Sequence, residues 1–303
     1  MYGISGQGLE SASSGPPLGS GLAGLPKLAD VTKLALGPFG ISTGLTSSPH
    51  SLEAAAAAEE LGYPVIWLSG GPLPGLQTIV DLVGATKSIK FASGILAVDT
   101  YPAEDVAATY AGLEASAPGR FIVGLGGARG PKPLATLNAY LDQLTGVPVD
   151  RRVLAALGPR MLQLARDRSA GAYPFLITSA YTATAREILG PDKLLAVNHL
   201  VVLETDAPQA RSIARETISF FPRIPAYAAS LRRQGFSESD LAELPDAMVD
   251  ELAAWGTPEE IAAKLAEHHA AGADQVAINV ITGETGPQPM AQWRALAPVL
   301  LSS

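Results

Sequence analysis

The chain has 303 residues, of which 47% are hydrophobic and 17% are charged, and it contains no cysteine. Such a composition supports a large buried core without disulfides or a structural metal. The net charge of −8 argues against nucleic acid as a partner. The sequence has no run of 18 apolar residues and no basic segment followed by an apolar leader, so we expect no membrane association and a cytoplasmic location.

The N-terminal 30 residues are rich in glycine, serine and proline and have no periodicity, which predicts a flexible tail ahead of one domain at 31–303. From residue 34 onward, apolar strands alternate with helices. Four helix-to-strand junctions share a glycine that ends the helix, at Gly62, Gly119, Gly171 and Gly272. The predicted strands are 34–41, 65–68, 89–96, 121–123, 153–157, 173–177, 195–203 and 275–280.

Eight strands in steady alternation with helices predict an α/β protein with a (β/α)8 (TIM) barrel. An open doubly wound sheet is the alternative, because periodicity does not report closure. A long helical insertion is predicted at about 207–271, between strands seven and eight, where Pro208, Pro222, Pro225 and Pro245 punctuate the helices. In either architecture, the functional end is the carboxyl end of the strands.

Two segments at that end have a composition suited to ligands. Leu157-Gly158-Pro159-Arg160 brings a strand to a helix start, where free N–H groups and the arginine attract phosphate; an ordinary turn is the alternative. Gly94, within the buried strand Ser93-Gly94-Ile95, predicts a bulge or a close approach of ligand, and tight packing against a helix is the alternative.

The four histidines form no cluster, and we predict no metal site. His268 and His269 are adjacent on a helix and therefore point apart. His199, inside a strand, is predicted to be a hydrogen-bonded barrel residue rather than a base. His50, at the loop end of strand one, is the better candidate for catalysis.

Three common nucleotide and hydrolase motifs are excluded. Gly124-Leu125-Gly126-Gly127 lacks the GxGxxG spacing and the helix that a dinucleotide site requires. Neither GxxxxGK[ST] nor GxSxG occurs, which removes P-loop and α/β-hydrolase functions.

Five motifs in order resemble the bacterial-luciferase-like superfamily, most closely its coenzyme F420-dependent oxidoreductases. Among them, Pro118-Gly119-Arg120-Phe121-x-x-Gly124-x-Gly126 is the most specific, and the resemblance runs from about residue 34 to 298. The other four motifs are Gly62–Trp67, Ser93–Ile95, Leu157–Leu162 and Ala170–Ala172.

This resemblance implies a TIM barrel, usually a homodimer, that holds F420 or FMN at the carboxyl ends of its strands. It also implies a non-prolyl cis peptide within Ser93-Gly94-Ile95. The cofactor-binding residues that it implies or leaves at the mouth are Ser42, Ser69, Ser93, Gly94, Ile95, Gly126, Gly127, Leu157, Gly158, Pro159 and Arg160.

The chain departs from the family where relatives carry acid–base residues. Gly70-Gly71 and Gly127-Ala128-Arg129 stand at those positions, so His50 and Arg129 are the remaining catalytic candidates. The expectation is an F420-dependent oxidoreductase that moves a hydride between the deazaflavin and a small organic substrate. The alternatives are an FMN-dependent monooxygenase, an F420- or flavin-binding protein without turnover, and a phosphosugar-type TIM enzyme using His50 or His199.

Overall fold

The computed structural model describes residues 34–69, 73–128, 130–283, 286 and 288–302. The predicted tail at 1–30 lies outside the described residues, as do Gly70, Gly71 and the predicted catalytic residue Arg129.

The strands form one closed parallel barrel, which confirms the predicted (β/α)8 fold and excludes the open sheet. Each barrel strand pairs in parallel with the strands on either side of it in the ring. The last strand closes the ring by pairing with the first, where Phe39 lies opposite Val276, and with the strand that contains Asn198. The strands are β1 (Phe39–Thr43), β2 (Val65–Leu68), β3 (Lys90–Ser93), β4 (Leu96–Ala97), β5 (Phe121–Gly126), β6 (Arg152–Leu154), β7 (Gly171–Ala172), β8 (Leu194–Val202), β9 (Ala253–Trp255) and β10 (Gln275–Val280).

The helices lie between the strands, and most begin at a proline or a side-chain cap. Ser48, Thr178, Asp206 and Thr257 each accept a hydrogen bond from an N–H of the first turn of their helix. The helices are α1 (Pro49–Glu60), α2 (Gln77–Gly84), α3 (Ala103–Ser116), α4 (Pro133–Gln143), α5 (Pro159–Arg168), α6 (Ser179–Leu189), α7 (Ala207–Ile218), α8 (Pro225–Arg233), α9 (Glu238–Glu243), α10 (Asp246–Leu252), α11 (Pro258–Ala270) and α12 (Met290–Leu300).

Two departures from plain alternation shape the carboxyl end of the barrel. The third barrel strand is divided into β3 and β4, and β5 pairs with both parts. The insertion between β8 and β10 also holds a strand, β9, which pairs with the last three residues of β8. The predicted insertion is therefore mostly helical but contributes to the sheet.

The barrel interior is a packed core rather than a channel. Trp67 and Tyr173 stack with ring centroids 3.9 Å apart and planes 6° apart. Below them Gln275, which is fully buried, accepts a 2.8 Å hydrogen bond from the indole N–H of Trp67. A cavity lies on the Tyr173 side of this core. None of the helices in the described part of the chain has both the length and the apolar character needed to cross a membrane.

Candidate active site

A cavity of about 500 Å³ lies where the barrel mouth meets the insertion. Barrel strands supply one side, through residues at or beyond their carboxyl ends, and the insertion supplies the other. The two groups are Ser69, Gly94, Ile95, Ala155, Tyr173, Asn198 and Asn279 from the barrel, and Thr217, Phe220, Phe221 and Tyr227 from the insertion.

The hydroxyl of Ser42 is the centre of a buried polar network beneath this cavity. It accepts a hydrogen bond from the phenol of Tyr173 at 3.1 Å and another from Nδ2 of Asn198 at 3.0 Å. The hydroxyl of Ser69 lies 2.5 Å from it. All four side chains are less than a tenth exposed. Ser42 and Ser69, both expected at the mouth, are thus brought together, although only Ser69 lines the cavity.

The phenol of Tyr173 is held neutral. Burial raises its pKa far above the ordinary value. Because stacking on Trp67 fixes the ring, Tyr173 acts as a rigid hydrogen-bond donor to the network. It is a poor source of a proton at neutral pH.

The amide oxygen of Asn198 has no hydrogen-bond partner, although the side chain is only 3% exposed and lines the cavity. A buried acceptor without a partner costs about 1–3 kcal/mol, so native proteins keep such groups mainly where a ligand or water supplies the donor. The oxygen of Asn198 is therefore a candidate acceptor for a ligand in the cavity.

The break between β3 and β4 lies against this floor. The peptide bond between Gly94 and Ile95 is cis, as the family resemblance implied. A Cβ on Gly94 would lie 3.1 Å from a ring carbon of Tyr173 and 3.4 Å from Cβ of Ser69, so a side chain there would crowd the network. Ser93 serves the sheet instead, because its hydroxyl bonds both the N–H and the carbonyl of Gly124 and so fastens β3 to β5.

Gly126 at the end of β5 and the next residue, Gly127, lie close to neighbouring side chains. A Cβ on Gly126 would lie 2.9 Å from Cβ of Ala155, and one on Gly127 would lie 3.0 Å from Cβ of Ala97. Gly127 also has a φ of +68°, which favours glycine. Neither residue is among those that line the cavity, and their role as direct cofactor contacts stays a prediction.

An aromatic wall from the insertion faces the polar floor. Phe221 and Tyr227 have ring centroids 4.8 Å apart, and each lies edge-on to Phe175, which follows β7. Phe220, beside them, is 59% exposed. The sequence interpretation missed this wall, although a Phe-Phe pair followed by a tyrosine in an alanine-rich insertion was an available signal.

The predicted phosphate loop forms a second cavity of about 670 Å³. Gly158 is the N-cap of α5 and makes no side-chain cap, Pro159 has no N–H, and the N–H groups of Met161 and Leu162 bond to the carbonyl of Gly158. The amide of Arg160 is therefore available to a ligand at this helix start.

Among the described residues, the cations that line this second cavity are Lys132, Arg160 and Arg233. Arg233 donates a 3.0 Å hydrogen bond to the carbonyl of Leu157, which holds its guanidinium across the start of α5. A Cβ on Gly158 would lie 3.2 Å from that guanidinium. Cations and a helix start together attract an anion.

His50 lies away from the cavity floor. It is exposed in the first turn of α1, where its Nε2 accepts a 3.3 Å hydrogen bond from the N–H of Gln288. Gln288 in turn bonds Thr43 and the carbonyl of Gly44, so this contact joins the loops that follow β10 and β1.

His199 faces the helix layer instead of the barrel interior, because it follows the inward-facing Asn198 on β8. Its Nδ1 lies 3.0 Å from Nε2 of His268, whose Nδ1 lies 2.8 Å from the hydroxyl of Thr182. The prediction that His199 is a hydrogen-bonded barrel residue is confirmed. Burial and the nearby His268 hold the pKa of His199 well below its ordinary value. Burial, with Lys264 second, lowers the pKa of His268 to about 4.

Comparison with known proteins agrees with this geometry. Residues 38–143 match the luciferase-like monooxygenase family. A segment of 103 residues is 34% identical to the uncharacterized protein YwcH of Bacillus subtilis (strain 168), and this match covers 31% of each chain.

Two solved structures share the fold at low sequence identity. An F420-dependent secondary alcohol dehydrogenase in complex with an F420–acetone adduct superimposes with a TM-score of 0.68 and 14% identity, covering 88% of this chain and 98% of the other. The oxygenating constituent of 3,6-diketocamphane monooxygenase from Pseudomonas putida, a type II Baeyer–Villiger enzyme in complex with FMN, gives 0.63 and 14%, covering 86% and 97%.

Proposed function

Because this chain has the luciferase-like (β/α)8 fold and matches that family over its first four barrel strands, we propose that it is an F420-dependent oxidoreductase. It would move a hydride between the deazaflavin and a small organic substrate. The observation that carries the proposal is the unpartnered, buried amide oxygen of Asn198, which sits on the floor of a partly aromatic cavity near a cationic helix start.

The residues present fit a ligand with a planar polar head and an anionic tail. The head would lie in the 500 Å³ cavity, with Asn198 and Ser69 below it and the aromatic wall beside it. The phosphate would lie at the start of α5, near Arg160 and Arg233. When bound, the deazaflavin supplies hydride acceptance and donation; the protein supplies binding and orientation.

The residues around the cavity also indicate the substrate class. The aromatic wall favours an apolar body, and the floor offers hydroxyl and amide groups rather than charges. Within the described residues, no carboxylate or histidine lines the cavity, so a strongly basic or acidic substrate would meet no counter-charge there. A small ketone or alcohol matches this chemistry, and the related dehydrogenase was solved with an F420–acetone adduct.

An FMN-dependent monooxygenase is the second candidate, favoured by the matched family and by the FMN complex of the Baeyer–Villiger enzyme. A binding protein without turnover is the third, because the usual acid–base positions carry glycines. In all three cases we propose a homodimer, which light scattering on the purified protein would test.

The experiment is a parallel titration with F420 and FMN, followed by turnover. We expect F420 to bind more tightly than FMN, and a panel of small secondary alcohols to reduce the bound F420, seen as loss of its visible absorbance. Tighter FMN binding with oxygen consumption would establish the monooxygenase instead. Tight F420 binding with no reduction by any alcohol, and no oxidation of reduced F420 by any ketone, would leave the binding protein.

A further inference from the structure

In the polar network beneath the cavity, the donor and acceptor of each hydrogen bond follow from counting the available hydrogens. A hydroxyl oxygen has two acceptor sites and one proton. On Ser42, both acceptor sites are used, one by the amide N–H of Asn198 and one by the phenol of Tyr173. The proton of Ser42 must therefore point to the remaining neighbour, the hydroxyl of Ser69 at 2.5 Å.

Ser69 is consequently an acceptor toward Ser42, and its own proton is left to point elsewhere. Its side chain lines the cavity, and Ser42 is the partner that its hydroxyl has among the described residues. The cavity floor thus presents a donor, the hydroxyl of Ser69. It also presents an acceptor, the amide oxygen of Asn198, which lacks a partner. Both groups are anchored to the same Ser42 oxygen.

We propose that Ser69 and Asn198 form a donor–acceptor pair that recognises a ligand group carrying an acceptor oxygen next to a donor hydrogen. This inference rests on the proposed function and goes beyond it by assigning the residues that hydrogen-bond to the polar edge of the ligand. Two sources have the required chemistry: the imide edge of a flavin or deazaflavin ring, C=O beside N–H, and the hydroxyl of an alcohol substrate.

Tyr173 and Ser42 are positioning residues in this scheme. They fix the direction of the Ser69 proton but do not supply a proton to product, because passing one along the chain would leave a phenolate whose formation burial strongly disfavours. Loss of the Tyr173 hydroxyl frees an acceptor site on Ser42, after which the Ser69 proton can turn away from the cavity.

The test uses FMN and F420, each beside its analogue methylated at the imide nitrogen (N3). Dissociation constants are measured by fluorescence for the full-length wild type and for Asn198→Ala, Ser69→Ala and Tyr173→Phe. We expect the wild type to prefer the unmethylated ring by at least 10-fold, and Asn198→Ala to reduce that preference below about 3-fold. Ser69→Ala and Tyr173→Phe should weaken both rings about 3- to 10-fold and keep the preference.

Ser169→Ala is the matched control. Ser169 is fully buried at the opposite end of the barrel, where its hydroxyl bonds the carbonyls of Ala165 and Gly171. It should bind both rings as the wild type does. A thermal melt of each variant identifies any that fails to fold, and Ser69→Ala and Asn198→Ala test the two halves of the pair separately.

A second arm identifies the source of the ligand group. The cofactor-loaded protein is titrated with propan-2-ol and with its methyl ether, 2-methoxypropane, and the absorbance of the bound cofactor is followed. The wild type could bind methylated and unmethylated rings equally well and yet prefer the alcohol to the ether. If Asn198→Ala then abolishes the preference for the alcohol, the pair binds substrate rather than the cofactor ring. The proposal is overturned if the wild type shows neither preference, or if Asn198→Ala keeps both. Binding of neither FMN nor F420 would remove the proposed function as well.

Discussion

The two ends of this barrel differ in how many of their arginine hydrogen bonds go to backbone carbonyls. At the amino end of the strands, arginines bond the carbonyls that helices leave open. Arg120 donates to Val83, Thr86 and Ile89 beyond α2. Arg152 does the same after α4, and Arg186 bonds Gly190, Lys193 and Gly272.

At the carboxyl end, polar groups are left for something else. Asn198 has an amide oxygen without a partner, and three cations among the described residues surround the start of α5. Cavities of about 500 Å³ and about 670 Å³ are among those that open there. The contrast indicates that the arginines of the amino end stabilise the fold, and it supports the proposal that the carboxyl end binds a ligand, as in other barrels of this class.

This comparison also explains the most specific sequence motif. In Pro118-Gly119-Arg120-Phe121, the arginine lies at the amino end of β5, where burial lowers its pKa and its bonds go to backbone carbonyls. The most specific point of resemblance is therefore an arginine with a structural role, and the ligand-facing residues need a separate argument.

The largest expected effect on stability comes from removing an arginine at the amino end of the barrel. Arg152 is 6% exposed and bonds the carbonyls of Leu141, Leu144 and Val147. Arg152→Met would leave these carbonyls buried without donors, and we expect a loss of about 3–5 kcal/mol in the free energy of unfolding. Urea denaturation measures it, and cofactor affinity of the remaining folded protein should be unchanged. A loss below about 1 kcal/mol would contradict the role given to this end.

The buried histidine pair should give the next largest effect, as a dependence of stability on pH. His268 has a pKa of about 4 in the folded protein against 6.5 for the ordinary value. As pH falls from 6.5 to 4, the unfolded chain therefore binds a proton that the folded chain does not, and the protein loses up to about 3 kcal/mol of stability.

The variant His268→Gln keeps hydrogen-bonding groups but cannot titrate, so its stability should fall less over that range. Denaturation at closely spaced pH values makes the comparison, and activity at pH 7 should be retained because the pair faces the helix layer. Equal pH profiles for the variant and the wild type would disprove the assignment.

At the carboxyl end, the useful variant is one that changes cofactor binding without changing stability. Arg233→Ala removes a cation beside the helix start, and we expect cofactor affinity to fall about 10-fold, equivalent to about 1.4 kcal/mol, with a weaker dependence on salt. Arg232→Ala is the control, because Arg232 pairs with Glu238 instead. The two variants should have nearly the same stability; equal affinities would argue against a phosphate at α5.

The smallest effect is expected at His50. Its Nε2 contacts a loop amide rather than the cavity, so His50→Ala should change cofactor affinity and turnover by less than 2-fold. Steady-state kinetics decides this. A drop of 100-fold in kcat would restore His50 as the catalytic base that the sequence suggested.

Much of the fold could be predicted from sequence because each strand and helix carries its own local signal. Buried strands are continuous apolar runs, and glycines end the helices. The seventh strand, β7, shows where local signals fail. The apolar run 173–177 was expected to be that barrel strand, but the ladder is Gly171–Ala172. Pro174 lacks an N–H, and Leu176 has a φ of +53°, so regular pairing ends there.

The site was harder to predict because its contacts join distant positions. Ser42 lies 131 residues from Tyr173 and 156 from Asn198 along the chain, and no spacing rule relates them. Serines and glycines at strand ends could be identified by position, whereas the direction of the hydrogen bonds, the unpartnered oxygen of Asn198 and the aromatic wall required the folded arrangement.

The central claim is that the carboxyl end of the barrel binds a phosphorylated tricyclic ring. A crystal structure of the protein soaked with F420 tests it most directly. We predict the ring in the cavity with its imide edge on Asn198, and the phosphate in contact with Arg233 at the start of α5. Density for the ligand anywhere else, or the same soak leaving Asn198 and Arg233 without contact to it, would contradict the claim.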